Sequence, residues 1–303
     1  MERRNYDLEI IAGPCSITPE GLPSVYKISE IMVSDGKGGT MLGVSGTRMV
    51  GLKSRTGFDP TGKGMGIDAQ AVWEESLVLP SVAMAEQVVK DTGLLVAAEI
   101  MMPEKQMRQY VRRIPPGKLL AWNPSVDQLG WHVKQIADFA RVNGWDIGLK
   151  NGKWLGEPFN QANAADYPDE TSLERAWVGL ASYAGKIDGR LIMIHRGVDI
   201  PEKGLYRSLP VHEVARRAKR KAGALLYFDP SHSLGPNLRD QIVQETVTAM
   251  LMKDGNDWLY DGILIEAGQA PTDTNQHLSV NELEVLVSEL AKFRRLRDRH
   301  THR

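Results

Sequence analysis

A series of short segments in this chain sets reactive side chains among small, turn-forming neighbours. In order they are Gly13-Pro14-Cys15-Ser16, Gly46-Thr47-Arg48, Lys53-Ser54-Arg55-Thr56, Glu99, Trp122-Asn123, Lys150-Asn151-Gly152, His195-Arg196-Gly197, Asp229-Pro230-Ser231-His232, and Glu266 with Asp273 shortly after. They sort into two chemistries. Arg48, Lys53, Arg55, Lys150 and Arg196 are cations. Gathered in one place they would repel one another wherever water is scarce, so they call for a polyanionic ligand such as phosphates plus a carboxylate. Arginine suits two-point capture of either group. Cys15, His232, Glu266 and Asp273 supply a thiolate, an imidazole and two carboxylates. That mixed sulfur, nitrogen and oxygen set is compatible with a divalent Mn, Fe, Zn or Co ion, which can polarise an aldehyde oxygen or acidify a bound water. Taken singly, each of these residues has a plainer reading: Cys15 as a small buried apolar side chain, His232 as a hydrogen-bonded loop residue, Glu266 as a salt-bridge partner.

Both sets must be brought together by elements far apart in the chain. Short runs rich in Val, Ile and Leu, with little polar alternation, predict strands at Leu8–Ala12, Met41–Val44, Leu94–Glu99, Lys118–Trp122, Asp146–Lys150, Leu191–His195, Ala224–Phe228 and Gly262–Glu266. Amphipathic stretches predict helices at Gln70–Lys90, Asp127–Val142, Ser172–Ala184, Val211–Lys221, Gln241–Met252 and Val280–Leu296, with Asp127 and Ser279 as N-caps. Strand–helix units repeated eight times predict a closed (β/α)8 barrel as one domain over residues 1–303, with an open doubly wound sheet as the runner-up. In such a barrel the chemistry lies just beyond the C-terminal ends of the strands, where the reactive segments fall. His195 adjoins Arg196 at the expected mouth, but alternation along the sixth strand can point it the other way, and its role is left open. Gly57 to Gly64 nearly matches a phosphate-binding loop but lacks its closing Ser or Thr, and reads as a loop over the site.

The bulk properties narrow the function further. A chain of 303 residues with 42% hydrophobic and 25% charged residues can bury a large core unaided. Its net charge of -1 gives no global attraction to nucleic acid or an anionic membrane. One cysteine excludes an internal disulfide, which fits a reducing compartment. The charged N-terminus lacks a signal core and no apolar run spans a bilayer, so a cytoplasmic protein is expected. The basic tail from about residue 292 to 303 reads as a solvated helix end.

The segments also share a family pattern. Ala12-Gly13-Pro14-Cys15-Ser16 resembles the first-strand motif of the type I 3-deoxy-heptulosonate 7-phosphate (DAHP) synthases. Arg48 through Thr56 is similar to that family's R-x-x-x-x-K-P-R-T, with Ser54 in place of proline. Gly148 to Gly152 resembles G-x-K-N-G, Asp229 to His232 resembles D-x-S-H, and Glu266 with Asp273 resembles the last metal segment. The sister 3-deoxy-octulosonate 8-phosphate synthases share the barrel but differ at Lys53 to Thr56. Asn123 stands where the family's G-A-R supplies an arginine to the donor phosphate, and the spacing from Glu266 to Asp273 is short.

The resemblance implies a metal-dependent condensation of phosphoenolpyruvate with a phosphorylated aldose, taken as erythrose 4-phosphate, at the first step of the shikimate pathway. Arabinose 5-phosphate as acceptor, a non-catalytic phosphometabolite-binding descendant, and a pyruvate aldolase are the alternatives. It further implies that Cys15, His232, Glu266 and Asp273 bind the metal. Arg48, Lys150 and Arg196 would hold phosphoenolpyruvate with Lys53 at its reacting end, Arg55 and Thr56 would receive the aldose phosphate, and Glu99 would orient a water. A homo-oligomer, dimer or tetramer, is expected on the same ground.

Overall fold

Strands buried on both faces need cover inside and out, and alternation divides the work. In the computed structural model, which describes residues 8–53, 65–74, 76–153, 171–185, 190–268 and 275–297, eight parallel strands close into a barrel. They are β1 Glu9–Gly13, β2 Gly46–Arg48, β3 Leu95–Glu99, β4 Leu119–Asn123, β5 Asp146–Lys150, β6 Leu191–His195, β7 Leu225–Phe228 and β8 Gly262–Glu266. Each pairs with its sequence neighbours, and β1 closes on β8 in the register Glu9 to Gly262 and Gly13 to Glu266. The outer helices are α1 Leu22–Ser29, α2 Pro80–Thr92, α3 Pro103–Val111, α4 Gly130–Asn143, α5 Ser172–Ala184, α6 His212–Ala222, α7 Ile242–Met250 and α8 Val280–Ala291. The expected (β/α)8 architecture is thus observed, and the open sheet is not. No helix among the described residues is long and apolar enough to cross a membrane.

Inward-facing Ile11, Leu95, Ala97, Leu120, Trp122, Ile192, Ile194, Tyr227 and Leu264 fill the barrel as one cluster. Outward-facing neighbours such as Ile10, Ala12, Val96, Ala98 and Ile263 pack under the helices in a second, larger one. The lower end of the barrel is polar. Arg190 pairs with both Glu9 and Asp146, Tyr227 donates its hydroxyl to Glu9 at 2.5 Å, and Arg297 reaches Glu9 at 2.9 Å. Removing either sign from so buried a network would leave an uncompensated charge.

Several boundaries depart from the sequence reading. The second strand was expected at Met41–Val44, yet the barrel strand is Gly46–Arg48. Thr40–Leu42 instead pairs antiparallel with Met32–Ser34 in a hairpin. The apolar run misleads because β2 carries a glycine and two polar residues into the barrel wall. The long helix expected over Gln70–Lys90 is two, Ala69–Trp73 and α2, since Pro80 cannot extend a preceding helix. Asp127 does not cap α4, which begins at Gly130. Its carboxylate accepts from Leu129 N and pairs with His132 Nδ1. Ser279 does cap α8, in a reciprocal box with Glu282. Of the basic tail, residues 292–297 are not a solvated helix end, and residues 298–303 lie outside the described residues. Residues 295–297 hydrogen-bond alongside Leu8, and Arg294 is buried, donating to Met250 O and Tyr260 O.

Candidate active site at the barrel mouth

The C-terminal ends of the strands present a layer of inward side chains. They are Arg48 from β2, Glu99 from β3, Trp122 from β4, Lys150 from β5, Asp229 just after β7 and Glu266 from β8, all buried. Arg196, one residue past β6, continues the same alternation and is 9% exposed. Gly13 ends β1 without a side chain because a Cβ there would lie 2.9 Å from Arg48 N. That close approach lets Arg48 enter the layer, and the next turn carries Cys15, 1% exposed.

The layer is held in place by side chains from the adjoining strand ends. Asn123 Oδ1 accepts from Lys150 N at 3.0 Å, Asn151 Oδ1 accepts from Arg196 N at 2.9 Å, and Ser231 Oγ accepts from Glu266 N at 2.9 Å. Lys150, Arg196 and Glu266 therefore each have their backbone clamped by the preceding unit. Asn123, noted in the sequence for the arginine it displaces, serves as such a clamp. Its amide also donates to Asp127 O at 2.7 Å.

Opposite charges interleave within the layer. Glu266 Oε1 lies 3.2 Å from Arg48 Nη2, 4.0 Å from Lys53 Nζ and 3.6 Å from His232 Nε2. Its other oxygen accepts from Gln276 Nε2 at 2.8 Å. Lys150 Nζ sits 3.2 Å from Asp229 Oδ2 and 3.9 Å from Glu99 Oε2. Burial alone would raise these carboxyls. For Glu266 the charges of His232, Arg48 and Lys53 outweigh it and hold the group far below the ordinary carboxylate range. For Asp229 His232 and Lys150 do the same, and Glu99 is lowered by Lys150 and Lys53. Burial lowers Lys150, and Asp229 and Glu99 recover part of that loss. Burial, then the neighbouring Arg207, lowers Arg196. Lys53 is raised: burial pulls it down, but Cys15 and Glu266 prevail.

Three guanidinium positions in this mouth have no acceptor: Arg48 Nε and Nη1, and Arg196 Nε are buried without a hydrogen-bond partner among the described residues. A buried donor left unpaired costs about 1–3 kcal/mol. β2 and β6 lie four strands apart in a ring of eight, so these donors approach the mouth from opposite walls.

The donor chemistry for a metal is partly visible. His232 Nδ1 donates to Asp229 at 3.0 Å, since an ionised carboxylate only accepts. That leaves Nε2 as the ring atom facing Glu266 Oε1 at 3.6 Å, with a lone pair for a metal only when the ring is neutral. Two ligands of a tetrahedral ion, at ordinary metal–nitrogen and metal–oxygen lengths, would be roughly 3.4 Å apart, and a carboxylate behind the imidazole is the usual support for a metal-binding histidine. Cys15 lies near enough to Lys53 and Arg48 for its charge to raise both. Among the described residues, no group of three His, Cys, Asp or Glu side chains comes close enough to hold an ion. The expected fourth ligand, Asp273, lies outside the described residues, as do Arg55, Thr56 and the loop of residues 57–64.

The structure thus brings together eight of the residues expected from sequence, namely Cys15, Arg48, Lys53, Glu99, Lys150, Arg196, His232 and Glu266, around one mouth. Sequence reasoning gave too little weight to Asp229, Gln276 and Trp122. Asp229 was legible in Asp-Pro-Ser-His, where an N-cap three residues before a histidine can fix its ring. Gln276, ten residues beyond Glu266, left no such signal. His195 turns outward, as alternation requires, where Nδ1 meets Tyr260 Oη at 2.9 Å beside His212. No protein-family model matches the chain, and no curated protein matches it.

Proposed function

We propose that this barrel condenses phosphoenolpyruvate with a phosphorylated aldose, best matched by erythrose 4-phosphate, releasing inorganic phosphate and a 3-deoxy-heptulosonate 7-phosphate. It would be a carbon–carbon bond-forming transferase at the entry to the shikimate pathway, acting in the cytoplasm as a homo-oligomer. The observation that carries this reading is the set of acceptor-less guanidinium positions of Arg48 and Arg196 on opposite walls, with Lys53 and Lys150 beside them. A small ligand with a carboxylate at one end and a phosphate at the other would satisfy both walls at once.

In this reading Arg48, Lys150 and Arg196 fix the donor and neutralise its charge, with Lys53 at its reacting end. Arg55 and Thr56 receive the acceptor phosphate. The donor's methylene carbon attacks the aldehyde carbon, whose oxygen takes up a proton. Water, oriented by Glu99, adds at the cationic carbon, and the hemiketal phosphate collapses by C–O cleavage to release phosphate. Cys15, His232, Glu266 and Asp273 would hold a divalent Mn, Fe, Zn or Co ion, which supplies Lewis-acid polarisation of an aldehyde oxygen when bound. Asp229 keeps His232 in the tautomer that leaves Nε2 available. Holding both reactants together contributes several kcal/mol, roughly up to the 7–11 of ideal intramolecular cases.

The test is phosphate release from phosphoenolpyruvate across a panel of aldoses, with and without chelator. Release with erythrose 4-phosphate, lost on chelation and restored by one of the four metals, is the expected result. Release with arabinose 5-phosphate alone would change the acceptor. Tight donor binding without release on any aldose would make the chain a sensor, and turnover with pyruvate an aldolase. Cys15→Ala and His232→Ala should each abolish turnover in a folded barrel; normal rates in either would remove that residue from the reaction.

A further inference from the structure

Trp122 occupies an unusual place for a large aromatic side chain. It is fully buried in the uppermost layer of the barrel interior, among charged groups rather than beneath them. The Arg48 guanidinium carbon lies 5.7 Å from its ring centroid and Lys150 Nζ lies 5.4 Å from it. Its indole N–H donates to Glu99 Oε2 at 3.2 Å, the same oxygen that lies 3.9 Å from Lys150. Gly148 on the neighbouring strand leaves space beside the base of this side chain, since a Cβ there would come 2.8 Å from Trp122 Cβ. The ring is therefore in contact with both cations and with the carboxylate that compensates one of them. An aromatic ring attracts cations through its quadrupole without consuming their N–H donors, whereas a carboxylate in the same place would use those donors up.

We propose that Trp122 is a positioning residue that holds Arg48 and Lys150 in one buried layer, at a fixed separation and with donors still open, to receive a ligand bearing two anionic groups. This rests on the proposed donor site and adds to it a residue that the motifs do not contain. Trp122 itself is covered and touches no ligand; it acts through the two cations and Glu99.

The experiment compares wild type with Trp122→Phe, which keeps a ring but loses the N–H, and Trp122→Leu, which loses both. Titration calorimetry measures binding of 2-phosphoglycolate, a carboxylate joined to a phosphate, and of inorganic phosphate. Trp122→Leu should bind 2-phosphoglycolate on the order of tenfold more weakly, the loss of one good contact, while its affinity for phosphate stays near wild type. Trp122→Phe should recover most of the difference. Equal weakening toward both probes, or none, would overturn the proposal, because a merely loosened fold does not discriminate between them. A second, ligand-free arm uses 5-fluorotryptophan in the full chain, with the Trp122 fluorine resonance assigned by its loss in Trp122→Phe. Arg48→Met and Lys150→Met should each move that resonance; an unmoved signal in both overturns the proposal even if the leucine variant does not fold. Failure of wild type to bind 2-phosphoglycolate would instead sink the donor-site reading, and the fluorine shifts would then judge Trp122 alone.

Discussion

Arg48 shows how a single residue can be both buried and unfinished. Its Nη2 is satisfied by Glu266, yet Nε and Nη1 have no acceptor among the described residues. Arg48→Lys keeps the charge but loses the planar fork, so it should weaken 2-phosphoglycolate binding by roughly 1–3 kcal/mol, read by calorimetry. Unchanged affinity would mean that the open donors do not face the ligand. The buried histidines make a separate, pH-dependent prediction. Burial, with Arg216 nearby, pushes His212 down to about 4, and its Nδ1 meets Tyr260 Oη at 2.7 Å. Between the unfolded value near 6.5 and about 4, the unfolded chain takes up a proton that the folded chain refuses. Stability from this group is complete above pH 6.5 and is lost as pH falls toward 4, on the order of 3 kcal/mol in all. Asp68 and Asp261, raised by burial, act in the opposite sense, so the informative quantity is a difference. Urea midpoints at pH 7 and pH 5 should diverge less in His212→Asn than in wild type, and an equal divergence would exclude His212 as the cause.

At the scale of elements, the strand ends are fixed by side chains reaching from one βα unit to the next. Asn123, Asn151 and Ser231 clamp the backbones of Lys150, Arg196 and Glu266. Helix starts use the same kind of bond. Ser279 and Thr171 each form a capping box, with Glu282 and Glu174, at the entries of α8 and α5. Ser279→Ala should cost about 1 kcal/mol in denaturant unfolding and leave ligand affinity unchanged, because the Ser279 hydroxyl bonds Glu282 and no side chain of the layer. A loss of affinity along with stability would place that helix entry in the site. Some of these devices were legible: Ser279 three residues before Glu282 is a cap by spacing alone. Others were not. Asn123 read as a missing arginine, because a hydrogen bond to a backbone N–H 27 positions away leaves no local pattern. β2 was displaced for a related reason, since its polar Gly-Thr-Arg had to be recognised as the wall of a site and not as the core of a sheet.

For the whole molecule, closure matters most at the end opposite the mouth. Arg190 joins Glu9 of β1 to Asp146 of β5, and Arg297 and Tyr227 converge on the same Glu9. Arg190→Met should destabilise the fold by about 3–5 kcal/mol, measured by chemical denaturation at neutral pH; a change under 1 kcal/mol would show that Arg297 alone can compensate Glu9. Ligand saturation should stabilise the barrel by mass action, about 2.7 kcal/mol at a hundredfold excess over Kd.

The amino-acid order by itself determined the repeating strand–helix units and the approximate ends of every barrel strand but β2. Both follow from local periodicity and from burial on two faces, and so need no partner to be known. It also placed the reactive residue types at those ends. Only the closed tertiary structure decided which of them meet. Glu266 with Arg48 and His232, and Trp122 with Arg48 and Lys150, are contacts between side chains well separated in sequence, while Arg196 stands on the wall opposite Arg48. The meeting of Arg48 with Glu266 in particular depends on the closing of β1 onto β8, which joins segments that no sequence spacing connects.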